Sequence, residues 1–356
     1  MGAVAHARHA AASRGLLLAV FMIAGCDGAD PASPRNGVPH VPSDTGVVLN
    51  EDFAGAQVFP ADNWWNLDVR SAPVDSHSQQ FIDWISGRTP ADPAATRRVH
   101  PDFGPPPYGI PYVGVAGTQA RFAVYFTMYG NESDAGAPGE PAGYPIPTAS
   151  RTLANYIEGG VPGGGTSGDR HLLVIDRDRW LLFELYATHW NATASRWEAG
   201  SGAVFDLDSN ARRTGGWTSA DAAGLAIFPG LVRYDEVSGS GEIQHALRFT
   251  TRATNGYVWP ASHAAGADPA APPLGARLRL KAITDLAGYS AETQKIFRAM
   301  QHYGLILADN GSDMYVSGTM DARWDNDILN PAFHSLHADD FEVIQLGWNP
   351  VPTGVP

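Results

Sequence analysis

Along most of the chain apolar residues alternate with polar ones in short runs, and this period of two predicts strands rather than helices. The runs are 121–129 (RFAVYFTMY), 202–207 (GAVFDL), 230–234 (GLVRY), 242–251 (EIQHALRFTT), 276–282 (ARLRLKA) and 313–318 (DMYVSG), bounded by Gly, Pro, Asn or Asp. Two more, inside GDRHLLVIDRDRWLLFELY at 168–186, read as a hairpin. The longer period appears three times. Residues 78–86 put Phe81, Ile82 and Ile85 on one face before Gly87, 149–158 ends in Gly159-Gly160, and 291–303 carries a stripe of Ile296, Phe297, Met300 and Tyr303. Ser290 is placed to cap that last helix and Gly304 to end it. Many short strands, 39 glycines and 27 prolines predict a mainly β fold. The expected form is a β-sandwich or jelly roll with a few decorating helices. No repeat and no later composition shift divides it, so 51–356 is expected to be one domain, with a split near residue 165 as the alternative.

The hairpin raises a question of chemistry. With Arg177 and Asp178 at its tip, partner numbers sum to 355, which sets Ile175 opposite Trp180, Leu173 opposite Leu182 and His171 opposite Glu184. All six then share a face. The same alternation in 242–251 places His245 with Ile243, Leu247 and Phe249, and leaves Arg248 on the other side. Ionisable groups among apolar ones persist when they are paired, bind a metal or face a wet cleft. The plain reading is a hydrogen-bonded pair at a strand end and an ordinary buried imidazole.

Four loop stretches are dense in acids and aromatics: FPADNWWNLD with Trp64, GGWTSADAAGL with Trp217 and Asp221, ILADNGSDMY with Asp309, Asn310 and Asp313, and TMDARWDNDILN with Trp324 and Asp325. Carboxylates beside tryptophans suit sugar-processing clefts, where an aromatic face meets the C–H side of a pyranose and carboxyls do acid/base work. Asp325 and Asp327 fit turn chemistry equally well.

The first fifty residues change the picture of location. Arg8 and Arg14 precede the nine-residue apolar run Leu16–Ala24, too short to span a bilayer and suited to an export signal. The run LLLAVFMIAGC resembles a bacterial lipoprotein signal, which implies cleavage after residue 25 and a lipid on Cys26, the single cysteine. Residues 26–50 then read as a Pro/Gly/Ser tether. Membrane contact is expected through that lipid alone. Loss of 1–25 leaves 22 basic residues against 37 acidic ones, a balance that disfavours nucleic acid. GGVPGGGTSGDRH has no Gly-Lys-Ser/Thr ending and precedes a strand, so no nucleotide loop is expected. Zincin, α/β-hydrolase and cysteine-protease signatures are likewise missing from the sequence.

The stretches GDRHLLVIDRDRWLLFELY, WEAGSGAVFDLDSN, GWTSADAAGLAIFPGLVRYDEV, IQHALRFT and YGLILADNGSDMYVSG are together similar to a family of secreted bacterial and fungal proteins. The resemblance spans most of 165–320. It implies an extracellular role and carries over no catalytic residue.

The expectation is an envelope-anchored, carbohydrate-active enzyme, a glycoside hydrolase acting on a polysaccharide or oligosaccharide. Glu184, Asp221 and Asp309 are its candidate acid and base or nucleophile, and His171 and His245 stand beside them. Trp64, Trp217, Trp259, Trp324, Asn310 and Asp313 would bind substrate. No cofactor is favoured and no protein partner is inferred. The alternatives are a jelly-roll enzyme holding Zn, Mn or Fe on His171, Glu184 and His245, a lyase with a histidine or Tyr186 as base, and a non-catalytic glycan binder.

Overall fold

The computed structural model describes residues 46–350. The signal-like segment, Cys26 and the tether up to residue 45 lie outside the described residues. In chain order the elements are β1 (Val48–Leu49), α1 (Ser78–Ser86), β2 (His100–Gly104), β3 (Tyr112–Val115), β4 (Val124–Phe126), β5 (Leu172–Asp176) and β6 (Leu181–Tyr186). There follow β7 (His189–Asn191), β8 (Arg196–Ala199), β9 (Ser201–Asp206), α2 (Tyr234–Ser238), β10 (Leu247–Thr251), β11 (Arg277–Leu280), α3 (Ala291–His302), β12 (Leu305–Asn310), β13 (Tyr315–Met320), α4 (Asn326–His334) and β14 (Phe341–Val343). Strand residues (25%) outnumber helical ones (17%), so the fold is mainly β with few helices, as expected.

Three sheets carry it, in the orders β1-β3-β5-β6-β9, β14-β11-β12-β10-β13-β2 and β4-β8-β7. The sheets are mixed: β3·β5, β4·β8, β10·β12 and β13·β2 pair in parallel, unlike the antiparallel ladders of a jelly roll. One face of the five-stranded sheet (Leu173, Ile175, Leu182, Phe205) enters the largest core together with Leu247, Phe249 and Leu307 of the six-stranded sheet. The opposite face (Leu172, Val174, Phe183, Leu185) packs on Trp197 and Ala199 of the three-stranded sheet. The largest core runs from Val58 to Val343 and so joins residues on both sides of position 165.

Two helices match their expected spans closely. α1 ends on Gly87 at φ 73°, whose N–H returns to the carbonyls of Asp83 and Trp84. α3 starts on Ser290, whose hydroxyl accepts from the Thr293 N–H at 3.2 Å, a cap of the kind that contributes about 1 kcal/mol. An added Cβ at Gly304 would lie 2.4 Å from the Leu278 carbonyl, so only glycine fits where α3 turns into β12.

Other expectations are corrected. Residues 230–234 form no strand but a 3-10 turn at Phe228–Gly230 running toward α2, with Val232 bridging to Gly318. Of the expected 149–158 helix only 149–151 is helical, in the 3-10 turn Thr148–Arg151. Asp325 caps α4, accepting from the Asp327 N–H at 2.9 Å, in a stretch expected to be a loop. β1 pairs with β3 inside the residues expected as tether.

In the hairpin Asp176 Oδ1 accepts from the N–H groups of Asp178 (3.2 Å) and Arg179 (3.1 Å), and Trp180 turns left-handed at φ 53°. The loop is therefore four residues long. Partner numbers sum to 357, and Glu184 opposes Leu173 instead of His171. A shift of two preserves the face, so His171, Leu173, Ile175, Leu182 and Glu184 still point the same way.

Candidate active site

Arg248 stands at the centre. On β10 its neighbours Leu247 and Phe249 are buried apolar residues, and the alternation turns its own side chain to the other face, also buried. Nε donates to Asp221 Oδ2 and Nη2 to Asp221 Oδ1, both at 2.8 Å, a bidentate pair. Nη1 donates to Ser317 Oγ at 2.6 Å and Nη2 to Asp309 Oδ2 at 3.2 Å. The strand pairing delivers these partners: Asp309 lies on β12 opposite Thr250, and Ser317 on β13 opposite Asp102 of β2.

His171 forms a second cationic centre. Its Nδ1 lies 2.7 Å from Glu158 Oε2 and its Nε2 lies 3.1 Å from the Ala220 carbonyl. Both neighbours are acceptors, so both ring nitrogens donate and the imidazole is an imidazolium. Burial works against that charge, but the Glu158 carboxylate outweighs it and pushes the imidazole up to about 9. In return His171 holds Glu158 below the usual carboxylate range, by its charge and through ring and backbone N–H bonds, against the opposing pull of burial.

The acids around these two cations differ in accessibility. The Asp309 side chain keeps 26% of its surface and Glu158 keeps 23%, while Asp221 keeps none. Asp102 is exposed. Loss of hydration, and then the Asp221 charge, pushes Asp309 up to about 7 in spite of Arg248. Crowding by protein also raises Asp102, although solvent reaches it. Water touches these carboxyls without fully hydrating them, and the loss of hydration disfavours their charged forms. An accessible carboxyl raised toward neutrality on Arg248 and an accessible carboxylate held ionised on His171 have the chemistry to give and to take a proton.

The sequence candidates divide accordingly. His171, Asp221 and Asp309 come together around Arg248. Glu184 joins them electrostatically but is fully buried: both oxygens accept from the Ile227 N–H at 2.9 Å, and Oε1 also accepts from Phe228. Burial pushes it up to about 7, and its geometry anchors the turn at 227–230. A substrate cannot reach it, nor Asp221. His245 sits elsewhere, before β10 begins, with Nδ1 on its neighbour's carbonyl (Ala246 O, 2.9 Å) and Nε2 on Glu236 (3.0 Å), which also pairs with Arg233. The trio His171, Glu184 and His245 is thus not assembled as a ligand set, and every nitrogen and oxygen in it is already engaged. Among the described residues no group of three or more His, Cys, Asp or Glu is arranged to hold a metal ion.

The aromatic expectations shift as well. Trp64 packs against Phe59 and Trp259, and Trp324 against Phe103 and Tyr234 with Nε1 donating to the Thr319 carbonyl; both are buried in the core. Trp259 is half-buried in that contact, and Trp217 is half-buried beneath Arg213. Asp313 is committed to Arg252 (2.7 Å) and Arg97 (3.6 Å). Asn310 remains beside the site, its N–H donating to Asp309 Oδ1 at 2.7 Å and its Nδ2 to the Ala265 carbonyl. Tyr186, whose ring lies 5.7 Å from that of His171, is pushed up by burial and then by Asp169 and Asp309, so it is a protonated phenol at neutral pH and a poor base.

Sequence reasoning missed Arg248, Glu158 and Asp102. A lone arginine inside the apolar run IQHALRFT was the available signal for the first. Glu158 carries only its place before Gly159-Gly160, and Asp102 carries none. No helix among the described residues is long and apolar enough to cross a membrane. Set against protein families, curated proteins and solved structures, the chain matches none.

Proposed function

We propose that the chain is a carbohydrate-active hydrolase that cleaves glycosidic bonds in a neutral polysaccharide or oligosaccharide, with Asp309 as general acid and Glu158 as general base. The carrying observation is that neighbouring environments push these two accessible carboxyls in opposite directions, Asp309 up to about 7 and Glu158 down. Arg248 anchors Asp309 on one oxygen and leaves the protonated form accessible. His171 keeps Glu158 ionised and fixes its direction. Asp221 and Glu184 act from beneath, as positioning residues. The excess of acids around Arg248 and His171 favours a neutral ligand over an anionic one. In this reading the two larger sheets are the layers of a sandwich, and the protein is exported and held at the envelope through a lipid on Cys26.

The test is a panel of neutral polysaccharides scored for reducing ends and for the absorbance of unsaturated products. Wild type releases reducing ends without unsaturation, and chelator leaves turnover unchanged. Asp309→Asn and Glu158→Gln each lower kcat by about a hundredfold or more. Unsaturated products, loss of turnover on chelation, or full turnover in both variants would overturn the proposal.

A further inference from the structure

A cavity of about 520 Å3 opens between α1 and the loops at 255–258 and 269–273. None of the residues around Arg248 or His171 lines it. Its volume falls within the roughly 300–1,000 Å3 of small-ligand sites.

The lining defines the chemistry of an occupant. It contains no Asp, Glu, Lys or Arg, and the ring of its one histidine, His77, already lies 3.4 Å from Asp75 Oδ1, so a charged ligand would be desolvated there without an uncommitted counter-charge. It does contain the exposed carboxamides of Gln80 and Asn255. Among the described residues neither side chain has a hydrogen-bond partner. Each amide offers two donors and two acceptor sites, which matches hydroxyls that both give and take. A purely apolar ligand would cover these amides and leave them unpaired, at about 1–3 kcal/mol each. The remaining wall is aromatic and proline-rich: Phe81 and Trp84 half-buried, Tyr257 42% exposed, and Pro273 behind them.

The wall is also fixed in advance. The Arg252 guanidinium lies 3.7 Å over the Trp84 ring. The same group donates to the Trp84 carbonyl at 2.6 Å and to Asp313 at 2.7 Å. One indole face is thereby occupied and the ring held. On the opposite side, the loop bearing Asn255 and Tyr257 is pinned by the bonds Asn255 N–H to Pro272 O (3.1 Å), Val258 N–H to Leu274 O (2.8 Å) and Leu274 N–H to Gly256 O (3.0 Å). A preset site loses less on binding than one that must be ordered.

We infer that this cavity is a binding site for a neutral saccharide, stacking its C–H face on Trp84 and Tyr257 and bonding its hydroxyls to Gln80 and Asn255. It is distinct from the acid/base centre and holds whether or not that centre hydrolyses glycans.

The experiment is titration of the protein with short neutral gluco-, manno-, xylo- and galacto-oligosaccharides by calorimetry and tryptophan fluorescence. A uronic-acid oligomer and an alkyl detergent serve as comparison ligands. At least one neutral sugar should bind, Tyr257→Ala and Asn255→Ala should each weaken it about tenfold or more, and the binding that these two variants weaken should persist in Asp309→Asn. Trp84→Ala is expected to lose binding too, but its buried edge makes the two exposed positions the decisive variants. Binding unchanged in both of them, preference for the uronic acid or the detergent, or no neutral sugar bound at millimolar concentration would overturn the inference. Binding lost in Asp309→Asn but kept in Tyr257→Ala would place the sugar at the acid/base centre, overturning this inference while leaving the hydrolase reading standing.

Discussion

Replacing Arg248 by Met removes the cation and retains most of the apolar stem. Asp221, with no exposed side-chain surface, would then keep only the Ala222 N–H on Oδ1 at 3.1 Å. Two charge-assisted bonds of 2.8 Å would be lost, with those to Ser317 and Asp309. Stripping the partner from a buried charge costs about 3–5 kcal/mol, a large part of the roughly 5–15 kcal/mol that holds a domain together. At about 2 °C per kcal/mol for a chain of this size, the midpoint of thermal unfolding should fall by roughly 6–10 °C at pH 7, followed by circular dichroism. Adding Asp221→Leu should restore part of the loss, because apolar groups in place of a buried ion pair are often tolerated. Arg248 also opposes the upward push on Asp309, so the single variant should move that carboxyl higher still. A loss below about 1 kcal/mol, or a double variant worse than the two single losses combined, would refute the picture of an occluded pair.

Three further outcomes follow from the same geometry. Glu184 titrates near 7 folded against 4.5 unfolded, so the folded state holds the extra proton and wild type loses stability as pH rises between those values, by about 3 kcal/mol; denaturant titrations should show Glu184→Gln gaining on wild type across that window, and a flat difference would contradict it. His171 is raised as well, from 6.5 up to about 9, so its contribution is full below pH 6.5 and disappears as pH climbs through 9; His171→Gln should flatten that alkaline loss in stability-against-pH curves. Trp324→Ala should cost about 3–5 kcal/mol as a core truncation, seen in the unfolding midpoint, with the KM of the folded fraction unchanged.

Local pattern was legible where local forces decide. The stripe and cap of α3 and the left-handed glycine ending α1 depend on residues within a few positions, and both helices fall where the sequence puts them. The hairpin face was also readable, since parity survives a shift of two. Its register was not, because Trp180 takes a left-handed turn position with no glycine to mark it. Alternation separated His245 from Arg248 and then chose the wrong one. β10 is buried on both faces, so either parity reaches protein, and His245 precedes the strand. The pairing of Arg248 with Asp221, Ser317 and Asp309 spans 27 to 69 residues and is created by strand order, which no local window contains. Trp64 and Trp324 looked like subsite walls because acids flank them, whereas Asp325 caps α4, Asp62 accepts from Asn210, Asp321 pairs with Arg323, and the indoles fill the core.

The proposed chemistry depends on one carboxyl, that of Asp309. A carbon-13 titration of the aspartate side chains, with Asp309 assigned by its disappearance in Asp309→Asn, reads that group directly. A midpoint near 7 is expected; a midpoint near 4, the ordinary aspartate value, would remove Asp309 as the general acid.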